Sequence, residues 1–138
     1  MRRKVLVPGT FDLLHYGHMR FLAECAKLGP VTVALATDEH AHAKRAPIMM
    51  YHERKEALLH LPYVDMVTPK EIKSLVPTIF LTKADIVCYG SDWDSAEWSR
   101  LNGVEDRAYL QMVAFTCVKN PMVISTTEII SRIANASR

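Results

Sequence analysis

The chain has 138 residues, of which 49% are hydrophobic and 23% charged, with a formal net charge of +2. That length provides one domain with one core, and the balance is that of a globular protein. No basic run exceeds Arg2-Arg3-Lys4, which excludes the charged stripe of a nucleic-acid binder, and no apolar run approaches the roughly 18 residues of a membrane span.

Lys4 to Pro8 is a short Val-rich run that predicts a buried strand, closed by Pro8 and Gly9. From His18, the apolar positions Phe21, Leu22, Cys25 and Leu28 share one helical face, and Gly29-Pro30 stops that helix. Val31 to Ala36 predicts the second strand. Residues 39–50 have no clean period and read as a loop with room for a short helical turn. Tyr51 to Leu61 predicts a helix with Arg54, Ala57, Leu58 and Leu61 on one face, ended by Pro62. Val64 to Thr68 predicts a third strand, closed by Pro69. A helix starting near Pro77 suits the segment that follows.

Asp85 to Tyr89 predicts the fourth strand, residues 90–103 a polar loop with one helical turn, and residues 105–112 the beginning of a further element. Val113 to Val118 predicts the fifth strand. Ser125 and Glu128 have capping-box spacing and open a last helix with Ile129, Ile130, Ile133 and Ala134 inward. Strands alternating with helices predict an α/β fold: a Rossmann-like, doubly wound, five-stranded parallel sheet in a single domain. Ligands of such sheets sit beyond the carboxyl ends of the strands, which here gathers residues 9–18, 37–45, 90–94 and 119–127.

Cys25, Cys88 and Cys117 fit no zinc spacing and read as buried free thiols of a reducing compartment. With no signal-peptide apolar region, the expected location is the cytoplasm.

The first turn carries the chemistry. Lys4-Val5-Leu6-Val7-Pro8 runs into Gly9-Thr10-Phe11-Asp12-Leu13-Leu14-His15-Tyr16-Gly17-His18. A strand handing over to a helix through such a turn aims backbone N–H groups at an anion. Gly9 allows close approach, Thr10 and Asp12 can hold the turn, and His15 and His18 add two imidazoles. No third ligand stands at a convincing spacing, so no metal site is expected in the protein. Ser125, Thr126 and Thr127 form a second helix start, suited both to capping and to phosphate. Lys44 is a loop lysine after the second strand. Arg54 could pair with Glu53 or Asp65. Asp92 and Trp93 follow the fourth strand. His40 and His42 read as a solvated loop pair, and His52 and His60 as helix-surface residues.

Gly9 to His18 resembles the nucleotidylyltransferase signature, in the spelling of cytidylyltransferases related to the glycerol-3-phosphate enzyme. Ala36-Thr37-Asp38-Glu39, Lys44, Tyr51 to Lys55, Tyr63-Val64-Asp65, Gly90-x-Asp92-Trp93 and Ile124-Ser125-Thr126-Thr127 extend the resemblance along most of the chain. It implies transfer of CMP from CTP to a phosphorylated acceptor, with pyrophosphate released. It also implies catalytic roles for His15, His18, Lys44 and Thr126. The nucleotide would lie on Gly9, Thr10, Phe11, His15, His18, Gly90, Asp92, Trp93, Ile124, Ser125, Thr126 and Thr127, and the acceptor on Asp12, Thr37, Asp38, Lys44 and Arg54. Mg²⁺ would come with CTP, held more by nucleotide than by protein. A homodimer is implied, with neither nucleic acid nor membrane as partner.

Two arginines usual in the glycerol-phosphate group are replaced, by Pro62 and Asn120. The acceptor is therefore open, between a glycerol-3-phosphate-like ester and a hydroxyalkylphosphonate. Two other readings remain: an ATP-dependent adenylyltransferase of the FMN or phosphopantetheine type, and a nucleotide-binding module of a larger enzyme with weakened catalysis.

Overall fold

The computed structural model describes residues 3–42, 45–91, 93–105, 113–119 and 124–136. Lys44, Asp92, Asn120 and the element expected over 105–112, apart from its first residue, lie outside them. The elements are β1 (Val5–Gly9), α1 (Tyr16–Ala26), β2 (Val31–Ala36), α2 (Asp38–His42), α3 (Tyr51–Leu59), β3 (Val64–Lys70), α4 (Val76–Thr82), β4 (Ile86–Gly90), α5 (Ser95–Leu101), β5 (Ala114–Val118) and α6 (Thr126–Ala136). The strands are all parallel, in the order β3-β2-β1-β4-β5. The chain winds outward from β1 to β3, then returns to place β4 on the other side of β1. That reversal between β1 and β4 is the switch point where such sheets open a crevice.

The apolar runs become strands because both faces of the sheet are covered. Val5, Val7, Val31, Val33 and Cys88 pack with Phe21, Leu22 and Cys25 of α1 and Leu58 of α3. Leu6, Ala34, Val87 and Tyr89 pack on the other face with Ile79 of α4 and Trp98 of α5. Gly29 joins α1 to β2 at φ 156, and a Cβ there would overlap the Arg3 carbonyl oxygen.

Several expectations are sharpened or corrected. The helical turns allowed for in the loops after β2 and β4 are the short helices α2 and α5, with α5 running to seven residues. Side-chain caps start them: Thr37 Oγ1 accepts the His40 N–H at 3.3 Å, and Asp94 accepts that of Glu97 at 3.1 Å. β3 runs through Pro69, which an edge strand tolerates. Leu28 is 41% exposed, because α1 ends two residues earlier. Cys117 is exposed: it lies on edge strand β5, none of whose residues is fully buried. Ile133, expected inward on α6, is 60% exposed, and Ala134 is exposed too. The half-buried residues of that helix are Thr126, Ile129 and Ile130, and Ile129 lines a cavity together with Leu13 and Leu14.

Candidate active site

β1 ends at Gly9, and the chain needs only six further residues to start α1. Phe11 and Leu13 take φ 50 within that link. Side chains in the left-handed region cost about 1–3 kcal/mol each and persist where the surroundings over-determine them. Here the surroundings are hydrogen bonds. Asp12 is 2% exposed, and its two carboxylate oxygens accept the N–H groups of Ile48 at 2.8 Å and Met49 at 2.9 Å. The Thr126 hydroxyl donates to the Asp12 carbonyl at 2.8 Å.

His15 is the N-cap of α1. Its Nδ1 accepts the N–H of Gly17 at 3.1 Å and of His18 at 3.4 Å, while His18 Nδ1 accepts the His15 N–H at 3.3 Å. The two histidines thus form a reciprocal capping box. Their rings stack with centroids 3.8 Å apart. An Nδ1 that accepts must leave the proton on Nε2, so each neutral ring presents one N–H donor away from its helix. His15 Nε2 is buried without a protein partner.

Burial lowers the pKa of both rings. His18 falls to about 3, through burial first and its neighbour His15 second, with Asp12 opposing. Gly17 is required by this packing: a Cβ would lie 2.9 Å from His15 Cε1 and 3.2 Å from Ile124 Cγ2.

Arg54, 2% exposed, ties the neighbouring turns together. It donates to the carbonyls of Met49 (3.0 Å), Thr10 (2.9 Å) and Ala36 (2.8 Å) and to Asp38 Oδ1 (2.8 Å). Its ion pair is with Asp38, not with Glu53 or Asp65. Arg54 and Asp12, expected on the acceptor, are therefore committed to the protein's own backbone. Thr126, expected in catalysis, spends its proton on Asp12. Ser125 Oγ accepts the Glu128 N–H at 3.1 Å, as the capping spacing predicted, and Thr127 is exposed.

Ile124 lies against Gly17, and Thr37 and Asp38 stand at the end of β2. The turn after β1 is thus joined to that after β5 by Thr126 and to the end of β2 through Arg54. Gly90 ends β4, where the Trp93 N–H bonds to its carbonyl at 3.2 Å and Ser91 N–H reaches the Val118 carbonyl of β5 at 3.0 Å.

One cavity adjoins the histidine turn and another lies beyond the end of β2. The first, of about 380 Å³, is apolar and lined by Phe11, Leu13, Leu14, Met49, Ala57 and Ile129 among others. The second, of about 510 Å³, is lined by Thr37, Asp38, Glu39, Tyr51 and Glu71.

Sequence reasoning missed Lys70 and Tyr51. Lys70 is 5% exposed, and its Nζ donates to the carbonyls of Ile72 and Lys73 and contacts His40 Nε2 at 3.1 Å. Burial lowers its pKa to about 8. His40 is accordingly half-buried rather than a solvated loop residue. The Tyr51 hydroxyl is buried without a protein partner. A lysine ending a strand and a tyrosine opening a helix carry no local mark of burial.

Known proteins resemble this chain in sequence and fold. The chain is 30% identical over 133 residues to FAD synthase of Ferroglobus placidus, covering 95% of this chain and 88% of that one. It is 36% identical over 95 residues to glycerol-3-phosphate cytidylyltransferase of Bacillus subtilis, covering 67% and 74%. It is 33% identical over 141 residues to ethanolamine-phosphate cytidylyltransferase of Arabidopsis thaliana, covering 95% of this chain and 32% of that one. The fold superposes on the lipopolysaccharide core biosynthesis protein of Thermoplasma volcanium with a TM-score of 0.70 at 27% identity, covering 86% and 96%. The family model for cytidylyltransferase-like proteins matches residues 6–132. With the sheet order, the paired histidines and these relatives in agreement, the chain belongs to the cytidylyltransferase-like family of nucleotidylyltransferases.

Proposed function

We propose that the chain transfers CMP from CTP to a small acceptor bearing a phosphate or phosphonate, with release of pyrophosphate. The observation that carries this is the orientation of the histidines. Both rings spend their acceptor nitrogen on the start of α1, and His15 leaves an Nε2–H donor buried without a partner. A buried donor of that kind needs an acceptor, and a phosphate oxygen is the natural one.

An ionised acceptor oxygen attacks the α-phosphorus in line. The new O–P bond forms as the bond from the α-phosphorus to the bridging oxygen breaks, and pyrophosphate leaves with the electron pair. The protein's work is positioning and hydrogen bonding to the growing charge, and neither histidine has to remove a proton. His15 and His18 donate to the α-phosphate and bridging oxygens. The N-terminus of α6, held over the turn by Thr126, faces the leaving phosphates with the positive end of its dipole. Mg²⁺ would enter with the CTP substrate, held more by the nucleotide than by protein side chains.

The acceptor's remaining part suits the cavity beside Thr37, Asp38, Tyr51 and Glu71. Hydroxyls and carboxylates there accept hydrogen bonds from a polyol or hydroxyalkyl chain and repel a second phosphate. Lys44 serves the acceptor phosphate in this reading.

The FAD synthase relatives support a second reading, AMP transfer from ATP, while Ile124-Ser125-Thr126-Thr127 supports CTP. Pyrophosphate release separates them, measured with Mg²⁺ and each nucleotide against glycerol-3-phosphate, a hydroxyalkylphosphonate and FMN. Release with CTP and one of the first two is expected. Release with ATP and FMN alone would overturn the cytidylyl reading.

A further inference from the structure

Asp12 lies between two residues at φ 50, Phe11 and Leu13, and it is fastened at both ends of its structure. Its carboxylate holds Ile48 and Met49, and its carbonyl holds Thr126, 114 residues away in sequence. Met49 is pinned in turn from both sides, its N–H by Asp12 and its carbonyl by Arg54. Arg54 also grips the Thr10 carbonyl. Ties from α3, from the segment before it and from α6 therefore converge on one short strained turn. Phe11 transmits the geometry directly: its ring meets that of His18 edge-on, with centroids 5.3 Å apart.

We propose that Asp12 is a positioning residue for the transfer step, a role that rests on the nucleotidyl-transfer reading. Its bonds hold Phe11 and Leu13 in the left-handed region, and that turn fixes where the two imidazoles point. Released from Asp12, the turn relaxes toward ordinary φ values. The His15 cap then shifts, and the Nε2–H donors leave the path of the α-phosphate. The carboxylate itself touches no substrate.

The test is Asp12→Asn, which sets an amide NH₂ against a backbone N–H and loses one of the two bonds. Misplaced donors reduce kcat by about tenfold or more. The KM for the nucleotide stays within about threefold, because the lost interactions belong to the transition state. Leu13→Gly added to this variant recovers much of the rate, since glycine takes φ 50 without strain. Leu13→Gly alone brings no gain. An unchanged kcat in Asp12→Asn, or no recovery in the double variant, overturns the proposal.

Hydrogen exchange of the substrate-free protein tests the same point without turnover. The Gly17 and His18 amides, both bonded to His15 Nδ1, should lose protection in Asp12→Asn while those of β1 and β4 keep theirs. Equal loss everywhere, or none at Gly17 and His18, overturns it. If Asp12→Asn does not fold, Thr126→Val removes the tie on the Asp12 carbonyl and is read by the same exchange criterion. A chain that shows this exchange pattern but transfers neither CMP nor AMP refutes the transfer reading instead.

Discussion

Arg54→Met should destabilise the protein far more than an average substitution. The guanidinium is 2% exposed and makes four bonds, three to backbone carbonyls and one to Asp38. Methionine fills the volume but leaves those acceptors behind. The Asp38 side chain is 36% exposed and rehydrates cheaply, so its share is small. The carbonyl of Ala36 accepts the one fully buried bond of the set, and those of Thr10 and Met49 are partly buried.

Stranded acceptors cost about 1–3 kcal/mol each when fully buried, which places the total near 3–5 kcal/mol. With a melting entropy of about 2.1 cal/mol/K per residue over 138 residues, the midpoint falls by about 10–17 °C. Thermal unfolding followed by circular dichroism, with urea titration at one temperature, measures both quantities. Arg54→Lys should recover less than half of the loss, since an ammonium cannot reproduce the planar fork. A fall of under about 3 °C for Arg54→Met would refute the view that this residue holds the turns together.

Three further outcomes are expected. His15→Asn keeps a good N-cap but lacks the Nε2 donor, so turnover falls about 10²–10³-fold with little change in stability, whereas His15→Ala also loses about 1 kcal/mol. Pyrophosphate release and urea titration of both variants check this, and wild-type rate in His15→Asn would end the donor assignment.

His18 has a native pKa depressed to about 3 against an ordinary 6.5, so between those values the unfolded chain binds a proton that the native one does not. Its contribution to stability is complete above pH 6.5 and is lost as the pH falls toward 3, by up to about 1.4 kcal/mol per pH unit. Urea titrations from pH 7 to pH 4 should show a flatter profile for His18→Gln, and identical slopes would contradict the assignment. Alkylation with a maleimide should modify one thiol per native chain, the exposed Cys117, and three after unfolding, because Cys25 and Cys88 are buried. Rapid modification of all three in the native protein would show that the α1–β4 packing is open.

The strands were legible in the sequence because a parallel sheet buried on both faces requires unbroken apolar runs, and Val31 to Ala36 is such a run bounded by Gly29-Pro30 and Thr37-Asp38. The histidine turn was legible because its residues are contiguous. Arg54 was placed at the right edge but given the wrong ion-pair partner, and Asp12 was read as holding the turn without the distant amides it holds. Their bonds reach 18, 36 and 44 residues along the chain, and no local pattern encodes such distances. Periodicity grouped Ile129, Ile130 and Ile133 on one face of α6, yet whether a face is covered depends on what lies opposite. The left-handed backbone at Phe11 and Leu13 was hidden for a related reason. Neither residue type favours that conformation, which comes from the ties around it.

The reciprocal cap of His15 and His18 has an evolutionary consequence. In the proposed reaction the atoms that begin the helix belong to the side chains that face the substrate, so selection for folding and selection for turnover fall on one pair of codons. A lineage that abandoned its reaction would still be confined at position 15 to the few residue types able to cap a helix. A lineage pressed for greater durability could not exchange either histidine without losing rate. Adaptation to new substrates then falls to Glu39 and Glu71, which line the cavity beyond the ends of β2 and β3 on the same edge of the sheet.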